Sequence, residues 1–573
     1  MTIADFAQNA VRQYLRSVVL IDDNLFLVPR VTVSNETLTV EGAPALGTVV
    51  GNTSSVQDSV VARDDGQREE TLRLNKIDAH AVTNGFAREG IICGVYKPVA
   101  FPETDFENDV NFKTLLIVCK NADVFILDWN LFAENENAVT LLLRRLLHDD
   151  NEADSPKPVR FCAIYTAERV DVILDKVFSA LKTEDPLAQK DDVKFNLRAG
   201  GLTVYVYGKE AATSPCAVQA EDLAKRIITD FAKTYEGIMP ALALRGIASI
   251  RDNTKRILDK FPAGMDPAFV LHAGLTIEGK GISEDVVNLI GDELSAVLAD
   301  TQVKSDEIYD LCGDHIVTGC DETVLANLKA DTSLVPTEVT WQNIKEFFVG
   351  IFSSRGLPMK TDVFLPWKKR IQLHKIDRKL LAALSDLVRR KASGDKAYQF
   401  GALSALFCHR TNYIANKMLR FGSVVKCMAP EENAGLYYLC LMPLCDSIRL
   451  NDRDKSGRLN NHKFPFWQLT EVSKEYQGRN HGLVLKGADG EFHPYCAKGK
   501  IRESFSLFEF NSQNSIVPFD ANGVVKTAGA THTFEWIAEL KSAHIQRMAE
   551  FVSREFSRVG LTESEWLRLQ VDR

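Results

Sequence analysis

Five short apolar runs organise the first third of the chain, at 17–21, 91–95, 124–127, 160–165 and 202–207. Each is bounded by polar residues, and runs of this length suit strands buried on both faces of a parallel sheet. Helical periodicity fills the intervals, over 75–89, 108–120, 138–147 and 167–181. A further helix is expected over 217–235, with Leu223, Ile227, Ile228 and Phe231 on one face, and a leading one over 3–16. Strands alternating with helices imply parallel pairing and right-handed crossovers. The expected fold is α/β, a flavodoxin-like, doubly wound, five-stranded parallel sheet. An insertion of about 31–73 separates the first strand from its helix. It reads either as a tolerated surface excursion, since long loops add little closure entropy, or as a lid or partner-docking hairpin. The stretch 184–201 reads as a polar connector.

Gly237 and Pro240 mark a break or kink. Beyond them helical patterns continue over 241–261, from Asp266-Pro267 as N-cap and first turn, and over 283–298, 340–353, 377–391 and 398–421. After Gly422 the period becomes strand-like at 424–428, 436–442, 481–486, 504–510 and 515–519, with turn signals at 487–490 and 520–523. A helix is expected over 533–558, and Thr562 to Glu565 open a last one as a capping box. The expected organisation is thus 1–236, the α/β domain with its insertion; 237–421, all-α; and 422–573, α+β.

The chemistry gathers at the strand ends. Asp22-Asp23 follow the first run, Asp128 ends the third, Thr166 the fourth with Glu168 close behind, and Lys209 follows the fifth. In an open α/β sheet, ligands bind outside the carboxyl ends of the strands. Adjacent carboxylates repel unless a cation or base neutralises them, and hard oxygen ligands suit Mg²⁺.

The ordered set Asp22-Asp23, Asp128, Thr166 and Lys209 resembles the receiver domain of two-component response regulators, over roughly residues 10 to 236. The resemblance implies that Asp128 is the phosphoacceptor and that Asp23, Asp128 and the backbone carbonyl of Asn130 ligate Mg²⁺, with Asp22 acting through water. It assigns a hydroxyl donor role to Thr166 and a cationic clamp to Lys209. Asn130 and Glu168 line the path of the attacking water, a pair shared with the fast-dephosphorylating chemotaxis receiver. A sensor histidine kinase is the implied partner. The pattern departs from the family at Glu210, where Pro is usual after the Lys, and at Val206, the usual place of a switch aromatic. Tyr205 and Tyr207 flank Val206 and, with a period of two, point to the opposite face.

Composition narrows the class. The 573 residues exceed one core, and 45% hydrophobic with 25% charged residues is ordinary for a soluble globular protein. A net charge of −9 argues against a general nucleic-acid binder. No secretory signal or apolar run of membrane-spanning length is seen, and the 11 scattered cysteines fit reduced thiols, so a cytoplasmic location is expected. Cys312, His315 and Cys320, and His493 with Cys496, lack the spacing of zinc pairs. Cys408-His409 reads as core, because helix neighbours point about 100° apart. Cys445 and Asp446, after an apolar strand, form an alternative small polar site for an uncharacterised enzyme.

The long insert, the helical extension and the ending around Trp536, Gly560 and Trp566 resemble receiver proteins of Detocs-like antiphage two-component systems, in particular the subunit without an effector enzyme. That resemblance implies a phosphate sink or regulator in antiviral defense, with no turnover beyond self-phosphotransfer and autodephosphorylation. It leaves open a separate effector protein and a homodimer. The alternative is a phosphorylation-gated adaptor or transcriptional regulator acting through its C-terminal domains.

Overall fold

A computed structural model of the chain describes residues 2–23; 77–312 apart from 103, 133–136, 153–157, 210–215, 276–281, 302–306 and 309; the pairs 363–364 and 370–371; and 396–557 apart from 412–416, 448–449, 454–455, 473–481 and 498–500. The insertion 31–73, the expected helices 340–353 and 377–391, and the capping box at 562–565 lie outside the described residues. The chain forms two compact units, 1–255 with 296–389, and 256–295 with 390–573.

In the first unit, helix α1 (Ile3–Tyr14) opens with a capping box in which Thr2 and Asp5 satisfy each other's backbone N–H groups. It is followed by β1 (Ser17–Ile21), α2 (Ala79–Arg88), β2 (Ile92–Tyr96), α3 (Val110–Asn121), β3 (Val124–Asp128), α4 (Ala138–Asn151), β4 (Arg160–Thr166) and α5 (Val170–Lys182). A hairpin of β5 (Gln189–Asp191) and β6 (Asn196–Ala199) then precedes β7 (Leu202–Gly208), α6 (Leu223–Thr234) and α7 (Ile238–Asp252). The sheet order is β2-β1-β3-β4-β7-β6-β5, the first five strands parallel and the last two antiparallel.

The expected five parallel strands are therefore present, and the sheet has seven strands in all. The stretch read as a polar connector carries the two additional ones. Gly200-Gly201 turns β6 back onto β7, pairing Ala199 with Leu202, and Gly200 takes φ +53°, a conformation glycine adopts without a Cβ penalty. Asp191 holds the other turn by accepting from the N–H groups of Val193 and Lys194. The hairpin covers the edge that β7 would otherwise present.

Side chains alternate between two cores, as a pleated sheet requires. Leu20, Ile126, Phe161, Tyr165, Tyr205 and Tyr207 face one layer, built from α1, α2, α6 and α7. Phe125, Leu127, Ile164, Val204 and Val206 face the other, built from α3, α4 and α5. Tyr205 and Tyr207 thus lie opposite Val206, as their spacing indicates. In α2, Gly85 has a packing role, because a Cβ there would lie 2.9 Å from the carbonyl oxygen of Glu221. Helix α7, read from sequence with the stretch after residue 236, shares the first layer through Ala241, Leu244 and Ala248. Its Arg251 donates to the Tyr14 carbonyl at 2.9 Å and stacks over the Tyr14 ring.

The second unit includes helix α8 (Asp266–Leu275), and helix α9 (Ile282–Thr301) begins in it. It also contains α10 (Lys396–Cys408), an antiparallel sheet and a following helix. The strands are β8 (Ser423–Ala429), β9 (Tyr437–Cys440), β10 (Asn461–Glu471), β11 (Gly482–Lys486), β12 (Phe492–Cys496), β13 (Phe505–Asn511), β14 (Val524–Lys526) and β15 (Thr533–Glu539), and the helix is α11 (Ser542–Ser557). Three expectations are corrected. The helix expected over 398–421 ends at Cys408. Residues 533–539, read as helix, are β15, which pairs antiparallel with β8 on one side and β14 on the other. Residues 515–519, read as a strand, make only isolated bridges, at Ile516 and Pro518. β10, not foreseen, pairs on both sides despite Pro465, which accepts from the Leu441 N–H through its carbonyl.

Candidate functional site

Four parallel strands end side by side at the carboxyl edge of the first sheet. β3 ends on Asp128, level with Tyr165 of β4, and Thr166 of β4 is level with Gly208 of β7. The backbone N–H of Lys209 donates to the Thr166 carbonyl at 2.7 Å, which fixes the start of the Lys209 side chain. That side chain is buried and brings Nζ to 3.0 Å from Asp128 Oδ1. Asp22, beyond the end of β1, is fully buried and its N–H donates to the Tyr96 carbonyl of β2 at 3.3 Å. Asp23 beside it is half-buried.

Burial pushes the Asp128 carboxyl up to about 6, because removal from water disfavours its charge. The Lys209 ammonium opposes that rise, while the negative charges of Asp22 and then Asp23 add to it. The three carboxylates therefore feel one another across a shared cleft. Thr166 is fully buried, and its Oγ1 accepts from the Glu168 N–H at 3.0 Å, which shapes the turn after β4. Asn130 and Glu168 are both exposed at the rim. Between Asp128 and the rim, Trp129, Leu131 and Phe132 are buried in the α3–α5 layer and anchor the loop after β3.

These are oxygen donors of the kind Mg²⁺ takes: one or two carboxylates, a carbonyl and several waters. Among the described residues no three His, Cys, Asp or Glu side chains approach closely enough to hold an ion without such additional ligands. A cation there would relieve the repulsion that Asp22 and Asp23 exert on the buried Asp128 carboxyl.

Tyr165 is a further member of the site that strand-end reasoning passes over. Its ring centroid lies 5.9 Å from Lys209 Nζ, and its hydroxyl donates to the Val218 carbonyl at 2.7 Å. The signal was its place one residue before Thr166, on the strand next to Asp128.

Elsewhere the structure assembles less. Asp446 is exposed in the one-turn helix Leu444–Ser447, and the side chain of Cys445 lies outside the described residues. His493 contacts Glu471 and Asp489 from opposite ring nitrogens, which raises its pKa and gives no shared focus for a metal. Cys312 is half-buried, and His315 and Cys320 lie outside the described residues. Among the described residues no helix is long and apolar enough to cross a membrane.

No curated protein and no solved structure matches the chain. Residues 14–214 match the family described as the response receiver domain, a stretch that runs from α1 past Lys209 and takes in Asp22, Asp23, Asp128, Thr166 and Lys209, and this match supports a receiver domain in that part of the chain.

Proposed function

We propose that the protein accepts a phosphoryl group on Asp128 from a sensor histidine kinase. The observation that carries this reading is the buried Lys209–Asp128 ion pair, at 3.0 Å, set beside two further carboxylates at the strand ends of a receiver domain. In the transfer, an Asp128 carboxylate oxygen forms a bond to phosphorus as the bond from phosphorus to the histidine nitrogen breaks, and the imidazole leaves. Asp128 reacts as the carboxylate. Lys209 then meets the oxygens of the incoming group, and the Thr166 hydroxyl donates to another. Positioning and charge neutralisation are most of what such a reaction asks of a protein. Mg²⁺, held by Asp23, Asp128 and the Asn130 carbonyl with Asp22 acting through water, would supply further neutralisation.

The wider reading is a phosphate sink in a cytoplasmic antiphage two-component system. It is supported by the resemblance of the insert, extension and chain ending, and by the two exposed polar residues, Asn130 and Glu168, at the rim. The test of the phosphoacceptor is intact-mass analysis after incubation with acetyl phosphate and Mg²⁺. One added phosphoryl group is expected in the parent and none in Asp128→Asn. A modification that persists in the variant would overturn the assignment.

A further inference from the structure

The receiver pattern places its usual switch position at Val206, which is buried in the α3–α5 layer and carries no polar handle. Tyr165 does carry one. Its ring lies beside Lys209, and its hydroxyl donates to the Val218 carbonyl. The segment 216–218 is clipped to the end of β7 by further bonds. Gly208 donates to the Cys216 carbonyl at 3.1 Å, Val218 donates to the Gly208 carbonyl at 2.9 Å, and Gly208 and Ala217 form a parallel bridge. Five residues beyond Val218, Leu223 begins α6 fully buried in the first layer.

We propose that Tyr165 is a positioning residue that holds Lys209 and links the state of Asp128 to segment 216–223 and helix α6. The proposal rests on the phosphoacceptor reading above. Once Asp128 Oδ is bonded to phosphorus, that oxygen no longer carries the carboxylate charge, and the negative charge moves outward to the phosphoryl oxygens. The ammonium of Lys209 follows it. A cation within about 6 Å of an aromatic centroid is attracted to the ring face, so the ring feels that movement. The hydroxyl converts a shift of the ring into strain on a single backbone carbonyl, that of Val218. The adjoining Tyr207 gives α6 a second tie to the same strand, because its hydroxyl donates to Asp230 at 3.1 Å, and Asp230 is buried and also holds Arg226 and Lys233. The route runs to the α1–α2–α6–α7 layer, the face opposite Val206.

The test is amide hydrogen exchange by mass spectrometry on peptides covering 216–234 of the full chain, with and without acetyl phosphate and Mg²⁺. The parent is expected to change its exchange there on phosphorylation. Tyr165→Phe keeps the ring and loses the hydroxyl. It is expected to lose that change when compared at an extent of phosphorylation, read by intact mass, equal to the parent's. Tyr165→Leu removes the ring, and its initial rate of phosphorylation is expected to fall about five- to tenfold, between the scales of an exposed and a desolvated cation–aromatic contact. An exchange response preserved in Tyr165→Phe, or a Tyr165→Leu rate equal to the parent's, would overturn the proposal. A further pair needs no phosphate: Asp128→Asn weakens the Lys209 ion pair and should alter exchange over 216–234, while Asp128→Asn with Tyr165→Phe should not. Identical behaviour of those two would refute the Tyr165 link. A parent that takes no phosphate would instead count against the phosphoacceptor reading alone.

Discussion

Lys209 and Asp128 meet at 3.0 Å with both side chains more than nine-tenths buried, yet the carboxyl of Asp128 still sits at about 6. Burial outweighs the attraction of the ammonium, with the charges of Asp22 and Asp23 pushing the same way. A nucleophile held this close to neutrality is a pH-dependent nucleophile.

Without Mg²⁺ the Asp128 carboxyl is therefore expected to titrate at about 6, and bound Mg²⁺ should move that midpoint down. Asp22→Asn removes a repelling charge and should move the midpoint down. Lys209→Met removes the stabilising cation and should move it up. The folded chain holds the Asp128 proton more tightly than the unfolded chain, so this group's contribution to stability falls as pH rises from the ordinary carboxylate range to about 6. A carbon-13 NMR titration of the carboxyl without Mg²⁺ checks the first two signs, and urea melts from about pH 4 to 7 check the third.

The cleft also gives a metal prediction. Relief of repulsion among Asp22, Asp23 and Asp128 should make Mg²⁺ stabilise the folded receiver by linkage, by about 2.7 kcal/mol at a hundredfold excess over Kd. Asp23→Ala should remove most of the Mg²⁺-dependent rise in Tm. A rise of unchanged size in that variant would place the ion elsewhere.

Helix α7 leads to a packing prediction. Leu244 is buried against the α1 layer, and Leu244→Ala should lower the stability of the first unit by about 2–5 kcal/mol. Denaturant unfolding followed by the exchange of α1 amides would register the loss. A change below about 0.5 kcal/mol, the range of exposed substitutions, would mean that α7 does not share that core.

The parallel strands were legible because each is an apolar run, four of them closed by a polar residue with a chemical use. Asp22, Asp128, Thr166 and Lys209 could be ordered along the sheet edge without coordinates. The hairpin 189–199 was not read, because its strands are short and polar, although Gly200-Gly201 beside Leu202 was the available turn signal. β10 was hidden by Pro465, which argues against a central strand until its carbonyl is seen to be the group in use. In residues 533–539 the alternation is short, Phe534 and Trp536 each after a polar residue, and runs straight into the helix that starts at Ser542. Tyr165 looked like filler because strand-end reasoning selects the last residue and not the one before it. Periodicity also cannot say which core a helix joins, and α7 packs on α1 through a sequence separation that no local pattern reports.

Phosphate lifetime separates a sink from a switch. Asn130 and Glu168 are exposed on either side of the buried Asp128, one two residues after it and the other two residues after Thr166. The turn that presents Glu168 is pinned by its own N–H donating to Thr166 Oγ1. Two polar side chains at the mouth of the site can hydrogen-bond a water and orient it for in-line attack on phosphorus, whereas bulky or apolar ones would exclude it. Phospho-Asp128 is accordingly expected to survive for seconds to minutes. Replacing Asn130 and Glu168 with bulky or basic residues, as in Asn130→Met and Glu168→Arg, should lengthen that lifetime about tenfold or more, the scale of a well-positioned polar group in a reaction. The measurement is loss of labelled phosphate after the donor is removed. A parent phosphate that lasts for hours, or variants no slower than the parent, would count against a sink. In that case the link from Tyr165 to α6 would become the centre of the function, because a long-lived phosphate with a conformational route out of the site describes a gated adaptor.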